Sequence, residues 1–354
     1  DIMTINTWKR SSLPREPAYL GKPLVDPALW YPKDILANDD WIYRLSDREI
    51  SEVKSAVANV EERGLDIKDI TKKDFPLPTL APRLQEVQDE LMEGRGIVLI
   101  KGLPIQEFNR AQYAAAFWGI SVYVGRALSQ NRQGHLLGHV KDVGGDYAKT
   151  RGYRTNAHMA FHCDQADVLV LGCIHGAKVG GEHLVCSAVT LYNEMLKRRP
   201  DLAMELGWKF YRQLSNEKHP GQKDPFIRQG IFNFHEGYFA VRGVSSALNK
   251  GQMIPGVPKF TKAQKEALQM FRDIAPEIAI EVPLGRGDIS YVMNHVTLHS
   301  RTDFEDWPEP ERKRHLLRLW MNTGDRRPLP PEIYKFSQGI YDETTKFVAP
   351  LDAE

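Results

Sequence analysis

The sequence predicts a mixed α and β protein of one domain, with N-terminal helices packed on a long β-barrel or sandwich. Helical periodicity is concentrated before Gly125. After it, short apolar runs alternate with Gly, Asp and Asn, which is the texture of strands separated by turns. No linker, internal repeat or low-complexity tract divides the 354 residues, although a prior of ~150 residues per domain would favour two domains.

Residues 1–45 are rich in Pro and aromatics without a period and read as an extended arm over a core. Residues 46–125 read as mostly helical. Ser46 and Glu49 make a capping box, and Ile50, Val53, Val57 and Val60 follow at helical spacing. Leu84, Val87 and Leu91 fit a second helix that ends at Gly94 and Gly96. Ile97–Ile100 is a buried strand, and 109–123 a third helix.

Residues 126–325 read as the β core, with strands at 136–140, 168–174, 183–187, 208–211, 231–234, 238–241, 278–282, 289–293 and 316–321. Helices are inserted at 189–199 and at 261–275, the latter with Thr261 and Gln264 as its capping box. Phe232 to Phe239 reads as a hairpin. Residues 326–354 form a tail.

Lys and Arg total 47 and Asp and Glu 46, a net charge of +1, which excludes a broad electrostatic footprint for nucleic acid or an anionic membrane. No apolar run approaches the ~20 residues that cross a bilayer, and no apolar segment of signal-peptide type follows Asp1. Cys163, Cys173 and Cys186 match no zinc spacing. The reading is a cytoplasmic protein with a small-molecule partner, with a homo-oligomer left open.

Histidine carries the chemistry. In extended chain, residues two apart share a side, so His162 and Asp164 in Phe161-His-Cys-Asp164 face one way and Cys163 the other. One imidazole and one carboxylate offer two ligands for a divalent metal, and a third must come from elsewhere. A second stretch, 287–301, ends in His295 and His299. In a strand beginning at Arg314, that residue would share a face with Leu316 and Arg318, while His315 would face outward. Arginines pointing into an apolar barrel are costly unless each meets an anion. The alternative is a solvated face near Glu309 and Glu311. Two histidines, one carboxylate and a carboxylate-binding arginine on a β scaffold describe a facial triad, which favours Fe(II).

These residues resemble the taurine dioxygenase/2,4-D dioxygenase (TauD/TfdA) family of Fe(II)- and 2-oxoglutarate-dependent oxygenases. The matching pieces are Phe161-His-Cys-Asp164, Gly180-Gly-Glu182, Leu191-Tyr-Asn-Glu-Met195, Arg199-Pro-Asp-Leu202, Gly287-Asp288, Asn294 five residues before His299, and Arg314-His-Leu-Leu-Arg318. The resemblance implies a double-stranded β-helix (jelly-roll) core with packed flanking helices. It implies iron ligands at His162, Asp164 and His299, and favours His299 over His295. Arg314 would clamp the cosubstrate 2-oxoglutarate, with O2 as the oxidant and succinate and CO2 as products.

His183 stands where the family often has a Thr that contacts 2-oxoglutarate. Arg318 and His158 match positions near the substrate, and Arg242 and Asn131 are further pocket candidates. Ser129 to Asn131 and Tyr147 to Tyr153 are candidates for a lid. Asp164 argues against a halogenase. The implied activity is oxidation of a small anionic or amino-acid-like substrate by hydroxylation, desaturation or ring closure. The alternatives are a non-catalytic ligand-binding jelly roll and a metal enzyme of the same fold that does not use 2-oxoglutarate. Asp167 reads as a supporting residue and Asp288 as a turn cap.

Overall fold

A computed structural model describes residues 5–145, 149, 151–214 and 221–353. Seventeen strands run among the described residues. The first eight are Ile42–Arg44 (β1), Ile97–Lys101 (β2), Arg126–Leu128 (β3), Gly138–Val140 (β4), Met159–His162 (β5), Val168–His175 (β6), Val179–Gly180 (β7) and His183–Ser187 (β8). Phe210–Gln213 (β9), Phe226–Gln229 (β10), Phe232–His235 (β11) and Tyr238–Val241 (β12) form two hairpins. Ala279–Val282 (β13), Ile289–Met293 (β14), Thr297–Arg301 (β15), Phe304–Glu305 (β16) and His315–Asn322 (β17) complete the set.

Two sheets face each other as a double-stranded β-helix. The larger has the order β1-β2-β14-β6-β17-β3, with β4 also pairing β17, and the smaller has the order β13-β8-β15-β5. Side-chain alternation assigns the two faces of the larger sheet. Ile97, Leu99, Leu169, Leu171, Leu316 and Trp320 point between the sheets, where they meet Val185, Ile280 and Val282 of the smaller one. Val98, Ile100, Val168, Val170, Leu317, Leu319 and Met321 point the other way, into the helical layer.

That layer includes the helices Asp47–Glu62, Leu80–Glu93 and Arg110–Ser121. The first and third begin with the capping boxes Ser46/Glu49 and Asn109/Gln112. Gly172 on β6 lets the third helix press onto the sheet: a Cβ there would lie 2.7 Å from the Phe117 ring. Lys262–Glu277 is capped by Thr261 and Gln264 as the spacing predicts.

Three features differ from the sequence reading. The arm is not wholly extended. It carries a helical turn at Pro32–Ile35 and then β1, which pairs parallel to β2. Thr297–Arg301 is a strand although four of its five residues are polar, because its backbone pairs with β5 on one edge and β8 on the other and all five residues are buried there. All eight residues of β17 are buried, so His315, expected to face outward, is 1% exposed beneath the tail. Among the described residues no helix is long and apolar enough to cross a membrane.

Candidate active site

β5 and β15 pair with His162 opposite His299, and their ring centroids are 4.2 Å apart. Asp164 lies just beyond β5. Its Oδ1 is 3.7 Å from His162 Nε2 and its Oδ2 is 3.4 Å from His299 Nε2. Ligand atoms of all three residues lie within 4.8 Å of one another. Cys163 turns away, and its Sγ accepts from the Gly243 N–H at 3.4 Å.

The surroundings prepare these groups as donors to a cation. His162 Nδ1 lies 2.8 Å from the Ala160 carbonyl, and donation to it leaves the Nε2 lone pair free. Burial lowers the His162 pKa to about 4, and the charge of His299 adds to this, so the ring is neutral near pH 7. Burial would raise the Asp164 carboxyl, but His299, then His162 and Arg318, outweigh it and hold the group well below the usual carboxylate range. The Trp320 indole donates to Asp164 Oδ2 at 3.2 Å.

Asn294 ties the two motifs together. Its Oδ1 accepts from Asp164 N–H at 3.0 Å, and its Nδ2 donates to the Ala166 carbonyl at 3.1 Å. His295, the competing candidate, is instead 2.8 Å from Asp167. Asp167 also accepts from the Thr323 N–H and hydroxyl, so it supports the backbone beside the site. Asp288 accepts from Gly285 N–H across its turn.

A cavity of about 50 Å³ opens from the three donors into the space between the sheets. Arg314 lies in its wall, 4% exposed. Its Nη2 donates to the Gly181 carbonyl at 3.1 Å, and its buried Nη1 has no partner among the described residues. Burial, then the charge of Arg301, lowers its pKa to about 10. Gly181 is required here: φ is +73°, and a Cβ would meet Arg314 Nε at 2.7 Å. Arg318 shares the face of Arg314, as alternation predicts. Its Nε donates to Gln130 Oε1 at 2.7 Å, it lies 4.2 Å over the Tyr153 ring, and its Nη2 is buried without a partner among the described residues. Burial raises the Tyr153 phenol, but the charges of Arg318 and Arg151 outweigh it and lower its pKa overall.

His183 lines the same cavity, with Nε2 3.3 Å from Ser290 Oγ. Burial, then the charges of His299 and Arg314, lowers its pKa to about 3, so it is a neutral hydrogen-bonding group. A second, wider cleft of about 560 Å³ also reaches His162 and Asp164 and is lined by Arg242.

Two expected substrate residues lie elsewhere. His158 is exposed and lines neither cavity; it lies between the bend at 155–157 and the start of β5. Asn131 lines neither cavity: its Oδ1 accepts from the N–H groups of Gln133 and His135, and its side chain also bonds Tyr153, which does line the small cavity. Tyr147, part of the expected lid, lies outside the described residues.

Sequence reasoning missed Arg301, two residues after His299 on β15 and therefore on its face, where it lines the small cavity. Period-2 counting from His299 would have found it. Gln130, which lay in the expected lid segment 129–131, is instead the partner of Arg318, and Arg212 in the wide cleft was missed because no local signal marks it.

The donor set fits a non-haem iron with 2-oxoglutarate. Two imidazoles and one carboxylate gather on one side of the cavity, which leaves positions open. A buried guanidinium with an unused N–H faces the same space, as a carboxylate requires.

Comparison with known proteins gives the same picture. The model of the family "Taurine catabolism dioxygenase TauD, TfdA family" matches residues 63–320. FR-33289 synthase of Streptomyces rubellomurinus (strain ATCC 31215) is 29% identical over 329 residues, which is 91% of this chain and 96% of that protein. The taurine hydroxylase-like protein SAT17 of Stachybotrys chartarum (strain CBS 109288 / IBT 7711) is 26% identical over 348 residues, 93% and 88% of the two chains. Among solved structures, asparagine oxygenase in complex with Fe(II), 2S,3S-3-hydroxyasparagine and succinate superposes with a TM-score of 0.62 at 16% identity, covering 85% of this chain and 99% of that one. The non-heme iron oxygenase OrfP in complex with Fe, succinate and (3S)-hydroxy-L-Arg gives a TM-score of 0.62 at 12% identity, covering 84% and 99%.

Proposed function

This chain belongs to the TauD/TfdA family of Fe(II)- and 2-oxoglutarate-dependent oxygenases, and on that premise we propose that it oxidises a small anionic or amino-acid-like substrate at a centre formed by His162, Asp164 and His299. The observation that carries this reading is the pair of unused guanidinium N–H groups, on Arg314 and Arg318, inside the cavity that the three donors share. Bound iron and 2-oxoglutarate supply O2-dependent oxidation coupled to release of succinate and CO2.

The chain's own residues bind and orient. Arg314, its position set by Gly181 and Phe304, would hold the distal carboxylate of 2-oxoglutarate through its unused Nη1. His183, neutral, offers a hydrogen bond where a hydroxyl often serves in the family. Leu169, Leu171 and Leu316 keep water from the inner cavity. The substrate enters through the wide cleft, with Arg318 and Arg242 as its cationic contacts. Likeness to oxygenases solved with hydroxylated amino acids supports the amino-acid-like class.

The test is succinate release with Fe(II), 2-oxoglutarate and a panel of amino acids, sulfonates and phosphonates. Arg314→Ala should raise the 2-oxoglutarate KM by about 10–100-fold, in line with the loss of a charge-assisted bidentate contact. Unchanged 2-oxoglutarate dependence would remove the cosubstrate assignment and leave a metal enzyme of another kind.

A further inference from the structure

We infer that Arg212 and Arg242 form an oxyanion subsite in the wide cleft, separate from Arg314, which holds one end of the substrate while its other end reaches the three donors. The inference rests on the oxygenase reading and specifies the substrate as an oxyanion that presents its charge away from 2-oxoglutarate.

The two arginines come together through the fold. Arg212 is on β9 and Arg242 directly follows β12. Arg212 Nη2 donates to the Gly243 carbonyl, which fixes its head against the residue after Arg242. Gly243 runs beside the candidate centre: a Cβ there would lie 3.1 Å from His162 Cα. Arg242 Nη1 donates at 3.4 Å to the Asp164 carbonyl. Both arginines, His162 and Asp164 line one cleft.

Among the described residues the pair lacks a counterion. Arg212 is 5% exposed, and its other bond is a 3.4 Å contact to Ser245 Oγ. The Nε groups of Arg212 and Arg242 are both buried with no partner among the described residues. Among the described residues, the cleft wall presents Arg151, Arg212, Arg242 and Arg272 against a single carboxylate, Asp164. That carboxylate is already engaged by two histidines and Trp320. Burial, then the charge of Arg242, lowers the Arg212 pKa to about 9, so the two guanidiniums repel each other. Bringing two cations together in a desolvated wall is costly unless an anion lies between them. Planar forks suit the oxygens of a carboxylate, sulfonate or phosphonate.

The pair and Arg314 serve different ends of the site. Arg314 lines only the small inner cavity, and Arg212 and Arg242 line only the wide cleft, while His162 and Asp164 border both. An anion at the pair therefore reaches the donors from the wide cleft and not through the inner cavity that Arg314 lines.

Calorimetric titration of inorganic phosphate, and separately of acetate, into the anaerobic Fe(II)- and 2-oxoglutarate-loaded protein tests this. The parent should bind at least one of them, and Arg242→Gln and Arg212→Met should each weaken that binding by about tenfold, as expected for loss of one charge-assisted contact. Tighter phosphate than acetate marks the subsite as built for a dianion, and equal affinity marks it as built for a monoanion. Arg242→Gln also guards against a folding artefact. It removes one of two like charges, so without phosphate its Tm should match or exceed the parent's, and the phosphate-induced rise in Tm should disappear. A parent that binds neither anion, or an Arg242→Gln variant that binds as well as the parent, overturns the subsite. Failure of the parent to bind 2-oxoglutarate overturns the oxygenase reading instead, and the anion titration is then read on the Fe(II) protein alone.

Discussion

Two clusters of two histidines and one aspartate lie on opposite faces of this molecule's larger sheet. His162, Asp164 and His299 open into the space between the sheets, while His139, His315 and Asp352 lie under the C-terminal tail. Residue type does not distinguish them; satisfaction does. In the tail cluster His139 Nδ1 and His315 Nε2 are 2.7 Å apart, and His139 Nε2 is 2.7 Å from the Pro350 carbonyl. Asp352 is paired with Arg110 at 2.6 Å and Lys141 at 3.4 Å. Each donor there has an acceptor, and the cluster works as a clasp for the tail. In the inner cluster the donor atoms face one another at 3.4–3.7 Å, beyond good hydrogen bonds, and His299 Nδ1 is buried without a partner among the described residues. A cation would complete the inner set and disrupt the outer one.

The sharpest way to break this comparison is to delete one member of each cluster. Asp164→Ala should abolish Fe(II) binding and substrate-dependent succinate release. His139→Ala should leave Fe(II) affinity as it was and lower unfolding stability by about 1–3 kcal/mol, the cost of orphaning a buried polar partner. Iron titration and urea melts of both variants read this directly, and iron loss in His139→Ala would mean that the clusters are not separate.

Next in size is Trp320→Phe. It keeps the ring but removes the N–H that steadies Asp164, and should weaken Fe(II) binding by about 10–100-fold. An unchanged affinity would show that Asp164 needs no such support.

A smaller effect is on pH dependence. Burial, then the charge of His139, lowers the His315 pKa to about 3. Between about 3 and the unfolded value near 6.5 the unfolded chain takes up a proton that the folded chain refuses. Stability from this group is therefore full above 6.5 and declines as pH falls through that window. Metal-free protein should weaken from pH 7 to pH 4, with a shallower slope for His315→Gln in urea midpoints. An equal slope would assign the decline to other histidines. Smallest is Asp352→Asn, whose exposed pairs should contribute no more than about 1 kcal/mol to the same melts.

Much of the frame was legible because its signals are local. Ser46 with Glu49 and Thr261 with Gln264 announce helix starts through side chains three residues apart. His162, Asp164, Arg314 and Arg318 were legible because alternation along a strand assigns faces. The same rule failed at His315, where alternation gave the right face but could not say that the tail would cover it. It failed at 297–301 because a strand lying between β5 and β8 is buried whatever its side chains, so Thr297, His299, Ser300 and Arg301 carry no apolar signature. Arg212 was illegible for the same reason: its role comes from Gly243 and Arg242, which the chain brings up only after two hairpins.

Asn294 joins residues 130 positions apart in the chain. During synthesis Asp164 leaves the ribosome long before Asn294 and His299 exist to meet it. Pairing over such a distance is slow compared with local helix formation. Metal capture is therefore a late event, and a nascent chain that has not closed its barrel offers at most two of the three donors. Iron retention consequently reports completed folding, so truncation before residue 299 should yield protein that is helical by circular dichroism yet unable to retain iron.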